Sequence, residues 1–538
     1  MLAGAGVIDP GRQVSRVVER QWQRAQRYIA AEQFAAARAA LEALLSHVPD
    51  DVQARLLLSS VLLEQEHLRG ASEQLVQASR SLPDNATVVH RVAYCLQQVG
   101  ESASLRGCLE HPAVEHARDG SVLVALAYLY QLLGMHERAL ALMDRALELG
   151  FDSPDVRYFR SLQLQFNGRM QEAETELERC LGLGPTYGRA SLALARMRRQ
   201  TPEHNHLAAI ASRLERVEQG SEHHAALEFA RFKELDDLGR REEAWRALQH
   251  GNAIMHARVP HDSGRERRRF DAVIATCDEA FVRAAEDDSD RDPAGGPRPI
   301  FIVGMPRSGT TLLERILGNH SQVASPGELP DFPKQLRWAA DVHGADILDE
   351  KLLGRVAGLD YRLLGHRYLA QSQWRANGRR FYIDKLPPNF ILAGFIHRAL
   401  PNARILHVRR DAMDVCFSNW KALFGDSYAY SYELGTLAAH RRHYERLMAH
   451  WRRVMPHAIL DLDYEALVAE PEAAAAEVLS FCGLPFEPGC SDITRNRNAV
   501  STLSSPQVRE PIHRRALGEW RRYERQLEPL RKALVPGD

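Results

Sequence analysis

The 538-residue sequence predicts an all-α array of helix pairs followed by an α/β domain built on a parallel sheet. Three observations predict it. Small and apolar residues recur at a fixed 34-residue spacing in the first half, an aperiodic acidic, Gly- and Pro-containing stretch interrupts the chain at 285–299 (AEDDSDRDPAGGPRP), and short apolar strands then alternate with helical stretches. A chain of this length exceeds what a single core serves, so a division into domains is expected.

The repeats come first. Ala37, Leu41 and Pro49 return as Ala71, Leu75 and Pro83, and Gly134, Ala139, Leu147 and Gly150 return as Gly168, Ala173, Leu181 and Gly184. Small residues let paired helices approach closely, and Pro or Gly ends the second helix of each pair. A 34-residue period of this kind is the signature of tetratricopeptide helix pairs, and the region resembles a tetratricopeptide superhelix over residues 15–258. The repeats are degenerate near 85–115 and 200–260, although LGRREEAWRAL (238–248) reads as another second helix. Such an array either binds a peptide or protein on its concave face or has a structural or dimerising role, the latter giving a homodimer. If it only recruits an acceptor, a chain lacking residues 1–258 keeps its turnover of small substrates. Residues 259–299 read as a connecting helix and linker, and the second domain spans 300–538.

In that domain the order is a strand FIVG (301–304), a helix from about Thr310, a strand FYID (381–384), and a helical NFILAGFIHRAL (389–400). RILHV (404–408) is the next strand, a helix starts near Ala412, and AILDLDY (458–464) precedes another helix. Strands alternating with helices read as a parallel sheet covered on both faces.

Composition bounds the function. The formal net charge is −1, which carries no nucleic-acid signature, but residues 300–538 hold 32 Lys+Arg against 27 Asp+Glu while residues 1–299 hold 37 against 43. The second half is therefore the place for an anionic ligand. Seven scattered cysteines without a C-x-x-C spacing argue against a disulfide framework or zinc site. Neither a secretory leader nor an 18-residue apolar run is legible, so the expectation is a cytoplasmic protein without membrane or nucleic-acid partners. Only six of the 69 basic residues are Lys, and the Arg and Ala richness fits a bacterial, GC-rich genome.

The chemistry concentrates in PIFIVGMPRSGTTLLERIL (299–317). A strand, a Gly-containing turn and a helix N-terminus aim several backbone N–H groups and the positive end of the helix dipole at one point, which suits phosphate or sulfate. In nucleoside-triphosphate loops a Lys precedes the final hydroxyl and reaches the β/γ-phosphates. Here Thr310 stands in its place before Thr311, and Arg307 lies earlier in the loop. A triphosphate with its metal would lack its main charge partner, and no Mg²⁺ carboxylate is evident, which disfavours a kinase or nucleotide triphosphatase. The phosphosulfate of 3′-phosphoadenosine 5′-phosphosulfate (PAPS) fits better.

P-R-S-G-T-T after a strand resembles the phosphosulfate loop of sulfotransferases. ILHVRRDAMDVCFSNW (405–420) is similar to the family's 3′-phosphate segment, with an Arg closing a strand and a Ser eight residues on, here Arg410 and Ser418. GE (327–328), DK (384–385), DYEALVAEPE (463–472) and SSPQVREPI (504–512), ending at Trp520, fall in the order of the protein-tyrosine sulfotransferase branch, so residues 300–538 are identified as resembling that branch.

The resemblance implies an enzyme that moves a sulfuryl group from PAPS to a hydroxyl, leaving adenosine 3′,5′-bisphosphate, without a metal, and with a protein or peptide tyrosine as acceptor. It implies that Arg307, Ser308, Gly309, Thr310 and Thr311 hold the 5′-phosphosulfate, that Arg410 and Ser418 hold the 3′-phosphate, and that Tyr464 touches the nucleotide. Arg410 rather than Arg409 is chosen on the spacing to Ser418. Lys385, a compact ammonium in a chain that nearly always chooses Arg, suits a single bridging oxygen, and Ser504 joins it. Glu328 is the family's general base; read from its own residues, a Glu after Gly in SPGELPDFP is as simply a helix-start residue. His320, His397 and His407 are weaker base candidates. The chain departs from the branch at Glu519, where a basic residue precedes the Trp, and at Glu510. A carboxylate there weakens donor binding unless Arg514, Arg515, Arg521 or Arg522 reaches in. The rival readings are a carbohydrate or small-molecule sulfotransferase and a scaffold that binds the nucleotide without turnover.

Overall fold

The structure is a computed structural model that describes residues 10–286, 296–496, 498–499 and 510–535. It contains a helical repeat region and a parallel-sheet domain, and by packing it divides into two compact units.

The first unit comprises Met1–Leu133 and Asp331–Ser372. Its repeat helices include Phe34–Leu45, Val52–Glu64, Leu68–Ala78 and Ala86–Val99. Ala37, Leu41, Ala71 and Leu75, the residues that carry the period, are all fully buried. Asp51 and Asn85 cap two of these helices, accepting from Ala54 N–H and from Thr87 and Val88 N–H. Helices from Asp331–Ala340, Glu350–Val356 and Tyr361–Ser372, which no repeat pattern marks, pack onto these repeats. The Trp338 ring lies under the Arg367 guanidinium at 4.0 Å and donates to Ser72 Oγ at 3.1 Å, while Gln371 donates to Glu101 at 2.7 Å. The packing units thus divide the chain after Leu133, Pro330 and Ser372.

The second unit comprises Gly134–Pro330 and Gln373–Asp538, so the later repeats share a unit with the sheet. The stretch read as another second helix at 238–248 forms the helix Arg241–Arg258, paired with Glu222–Asp237. This pair is built into the sheet domain. Trp245 packs on Trp420 and Tyr523 at ring separations of 4.6 and 5.7 Å, and Asn252 Nδ2 donates to the Trp420 carbonyl at 3.1 Å.

Five parallel strands, β1 (Arg298–Val303), β2 (Val323–Ala324), β3 (Phe381–Asp384), β4 (Arg404–Arg409) and β5 (Ile459–Asp463), lie in the order β2-β3-β1-β4-β5. The apolar runs exist because central parallel strands are covered on both faces: Ile300, Ile302, Leu406 and Val408 are buried against Leu313 and Ile316 of the helix Thr310–Leu317. The stretch 389–400 begins differently from the single helix expected of it. A 3-10 turn, Pro387–Leu392, precedes the α-helix Ala393–Ala399, and Pro387 and Pro388 have no N–H to offer. Because β1 sits between β3 and β4, the chain leaves it toward one side first and the other later. Crevices at the carboxyl ends of strands around such a reversal are where α/β sheets bind ligands.

Six of the seven cysteines are buried and Cys95 is half-buried, and all are free thiols. Burial pushes Cys108, Cys180, Cys416 and Cys482 up to about 12. Titration with a thiol reagent at pH 8 is therefore expected to label Cys95 alone at an appreciable rate and all seven only after denaturation. Rapid labelling of several thiols in the native protein would contradict this packing.

Candidate active site

Each strand of the sheet ends in a candidate residue or leads to one. β1 runs into the Gly304–Gly309 turn, β2 leads to Glu328, Lys385 follows β3, Arg410 follows β4, and Tyr464 follows β5. Parallel strands bring their carboxyl ends to one edge, so residues up to 160 positions apart meet there.

The turn after β1 is shaped for an anion. Gly309, at φ +107°, caps the helix Thr310–Leu317, and a Cβ there would overlap the Tyr464 ring. A Cβ on Gly304 would come within 2.7 Å of the Val408 carbonyl oxygen and 2.9 Å of Ser308 Oγ. Ser308, Thr310 and Thr311 are buried, and Ser308 Oγ has no hydrogen-bond partner among the described residues. A buried hydroxyl left in that state is expected to meet a ligand acceptor or donor.

Arg410 and Arg409 are separated by their surroundings. Arg409 is exposed and lies 3.5 Å from Asp463. Arg410 is 8% exposed and turns to the turn: Nη1 donates to the Arg307 carbonyl at 3.0 Å, Nη2 to the Ala516 carbonyl at 2.6 Å, and its guanidinium sits 4.8 Å from the Tyr464 ring centroid. Arg410 Nε has no partner among the described residues. Ser418 lies on the helix Ala412–Trp420, its Oγ 3.5 Å from Arg307 Nε, and Asn419 Nδ2 donates to the Pro306 carbonyl at 2.7 Å. Burial, and then the charge of Arg410, lower the Arg307 guanidinium to about 10, which favours a negative guest.

Lys385 is fully buried, its Nζ 2.6 Å from Glu328 Oε1 and 3.6 Å from Glu314 Oε2. Burial works against its charge, but Glu328 and Glu314 outweigh it and hold its pKa above the ordinary 10.5. Glu314, a residue the motif reading passed over, sits on the helix Thr310–Leu317 and accepts from Ser325 Oγ at 2.9 Å. A lone acid on the buried helix TTLLERIL, directly after the anion turn, was the signal available. The side chain of Glu328 is 40% exposed, against 6% for Glu314, so Glu328 is the carboxylate that solvent or an acceptor reaches. Arg196, on the repeat helix Gly188–Met197, is lowered to about 10 by burial and then by Arg307. Nothing in the repeat pattern marked it.

The histidines are occupied elsewhere. His320 is buried, its Nε2 3.0 Å from the Pro485 carbonyl, and its Nδ1 accepts from Gln322 N–H at 3.1 Å. His407 is held between Asp461, at 2.6 Å, and the Tyr444 hydroxyl, and His397 is buried in the helix Ala393–Ala399. Ser504 lies outside the described residues.

Residues 299–488 match the profile of the Sulfotransferase family, and residues 28–93 that of the Tetratricopeptide repeat. Residues 299–488 are a sulfotransferase-family domain. Relatives extend over parts of the chain. An uncharacterised protein of Aquifex aeolicus (strain VF5) is 31% identical over 322 residues, 58% of this chain and 42% of its own length. A Caenorhabditis briggsae protein named "Putative protein-tyrosine sulfotransferase" is 24% identical over 236 residues, 41% of this chain and 80% of its own. The sulfotransferase domain from the Synechococcus PCC 7002 olefin synthase has a TM-score of 0.31 at 21% identity, covering 43% of this chain and 90% of that one. The chain thus spans less than half the length of the Aquifex protein.

Beyond the matched stretch, Glu519 is neutralised. It forms ion pairs with Lys421 and with Arg522, the one of the four arginines named above that reaches it. Glu510 is exposed and paired to Arg515. One group elsewhere has the proximity of metal ligands among the described residues: His224, Glu228 and His250 have ligand atoms within 4.8 Å of one another. Gly220 N–H donates to His224 Nδ1 at 3.0 Å, which leaves the proton of the neutral ring on Nε2 and no lone pair there for an ion. Among the described residues no helix is long and apolar enough to cross a membrane.

Proposed function

We propose that the protein is a PAPS-dependent sulfotransferase that moves a sulfuryl group to a hydroxyl, with a protein or peptide tyrosine as acceptor. The observation that carries this reading is the buried Lys385 ammonium, paired to Glu328 and tied by Glu314 to the helix that opens the anion turn. The donor supplies the sulfuryl group and a phosphate leaving group.

The chain's own residues divide the work. Ser308, Thr310, Thr311 and the backbone N–H groups of the turn hold the phosphosulfate, with Arg307 beside them. Arg410 and Ser418 hold the 3′-phosphate, and Tyr464 lies against the nucleotide. Glu328 takes the acceptor's proton while Lys385 neutralises charge on the leaving side. In the present arrangement the two are ion-paired. As negative charge develops, Lys385 shifts from Glu328 toward it, which frees the Glu328 carboxylate to act as base. Ser504 belongs with Lys385 by resemblance. No residue of the set requires a metal.

The acceptor assignment draws support from the Caenorhabditis relative's name and from the repeats. The first unit has a groove of about 480 Å³ lined by Trp22, Ile29, Leu56, Leu57, Arg91 and Cys95, which suits a protein or peptide partner. A cytoplasmic, bacterial setting fits the free thiols and composition.

The test is incubation with radiolabelled PAPS against tyrosine peptides, glycans and phenols. Label on tyrosine peptides is expected; label on glycans alone would replace the acceptor, and no transfer to any hydroxyl would sink the enzyme. Donor binding has its own test. Adenosine 3′,5′-bisphosphate is expected to raise the melting temperature without metal, and Arg410→Ala to cost about 1.5–3 kcal/mol of its affinity. A larger effect of Arg409→Ala would overturn the choice between the two arginines.

A further inference from the structure

The segment that follows the helix Ala412–Trp420 is more ordered than an exposed loop needs to be. The Tyr432 hydroxyl closes it, accepting from Phe424 N–H at 2.9 Å and donating to the Gly425 carbonyl at 2.8 Å. Inside that closure the aromatic rings form a ladder. Phe424 meets Tyr428 edge-on at 4.8 Å, Tyr428 lies 6.0 Å from Tyr430, and Tyr430 stacks on His440 at 3.5 Å with the planes 6° apart. His440 is in turn held by buried Glu266 at 2.8 Å. The far end is therefore fixed, while Phe424 and Tyr428 remain half-buried.

Both ends of the segment are anchored on the anion site. It starts two residues beyond Ser418, at Trp420, and runs into the helix Leu434–Val454, whose Arg441 lies 3.7 Å from the Met305 sulfur in the turn. Burial, and then the Glu328 carboxylate, raise the Tyr428 phenol, so the ladder lies within the field of Glu328. Three buried polar atoms along it, Trp420 Nε1, Tyr430 OH and Ser431 Oγ, have no hydrogen-bond partner among the described residues. Buried polar groups in that state are met by ordered water or by a ligand's donors and acceptors.

We propose that Phe424 and Tyr428 form a platform for the acceptor's ring, so that the site selects aromatic hydroxyls over aliphatic ones. This rests on the sulfotransferase reading above and assigns its acceptor class to particular residues. A phenol gains twice on such a platform, through apolar burial and through edge or offset stacking that a saturated ring cannot make. Rigidity adds to the selection, because the ladder is already fixed before an acceptor arrives.

The experiment is titration of p-cresol, and of its saturated counterpart 4-methylcyclohexanol, into the full-length protein saturated with adenosine 3′,5′-bisphosphate, followed by ligand-observed NMR. Tyr428→Ala is expected to weaken p-cresol roughly 10- to 100-fold, as for a buried aromatic anchor, and to leave 4-methylcyclohexanol within about threefold. Tyr428→Phe keeps the ring and is expected to bind p-cresol as the parent does. Should Tyr428→Ala not fold, Tyr428→Leu keeps volume without the aromatic face and Phe424→Ala tests the neighbouring ring. The melting shift from the bisphosphate should be unchanged in every variant. Unchanged p-cresol affinity in Tyr428→Ala or its Leu substitute, or an equal loss for both ligands, overturns the platform. Binding that depends on Tyr428 in a protein that transfers sulfuryl to no hydroxyl would sustain the platform and sink the enzyme reading instead.

Discussion

Replacing Glu328 with Gln is expected to lower kcat by roughly 10²–10⁴-fold, the usual range for loss of a general base, while the melting shift from adenosine 3′,5′-bisphosphate survives. Gln keeps the size and a hydrogen bond to Lys385 but cannot take a proton. Lys385 keeps a carboxylate neighbour in Glu314, so its charge persists and the donor side is little disturbed. The discriminating measurement is the dependence on acceptor acidity: an acidic phenol, largely ionised at assay pH, needs no base and is expected to be partly rescued. Equal loss on acidic and ordinary phenols, with both ligands still bound, would show that Glu328 is not the base. Lys385 also sets a pH expectation. Its folded pKa lies above the ordinary 10.5, so the stability contributed by its ion pairs is full below that pH and is lost as pH rises through the folded value. An alkaline fall in rate below pH 9 would belong to another group.

Trp245→Ala is expected to have the second large effect, on the sheet domain rather than on the repeats that carry the residue. Trp245 is buried against Trp420 and Tyr523, themselves buried, and Trp420 stands two residues from Ser418. Truncating such a ring costs about 3–5 kcal/mol, a large share of the roughly 5–15 kcal/mol that holds a domain folded. The urea midpoint should fall, and the bisphosphate should bind more weakly because the helix Ala412–Trp420 loses its backing. Trp245→Phe should recover much of both. An unchanged midpoint would show that the array does not buttress the sheet. Removal of residues 1–258 strips the same face and also takes Asn252 from the Trp420 carbonyl. It is therefore expected to abolish turnover even of a small phenol, contrary to what an array that merely recruits a substrate would do.

The period of 34 residues, the strand-turn-helix at 299–317, and the strands at 381–384, 404–408 and 458–464 were legible because each rests on neighbours in sequence. Helix pairs need small residues at set spacings, and a buried parallel strand needs an unbroken apolar run. The main argument against a triphosphate loop was local too, since it rested on Thr310 standing where the Lys would be. The choice of Arg410 over Arg409 was reachable through its eight-residue spacing to Ser418, and the burial of one side chain and exposure of the other are consistent with it.

What only the tertiary structure decided lies in pairs distant along the chain. Lys385 meets Glu328 and Glu314, 57 and 71 positions away, because β3 lies between β2 and β1 and delivers its end to both. Glu519 is charge-paired because Lys421, 98 residues earlier, faces it. Residues 331–372 pack with the first repeats although they fall inside the span of sulfotransferase motifs, and Trp245 supports the sheet although it belongs to the array. The physical reason is the same in each case. Backbone hydrogen bonding and hydrophobic period are written in residues three or four apart, whereas the partner of a buried charge or ring is set by strand order and helix packing, which no local spacing records.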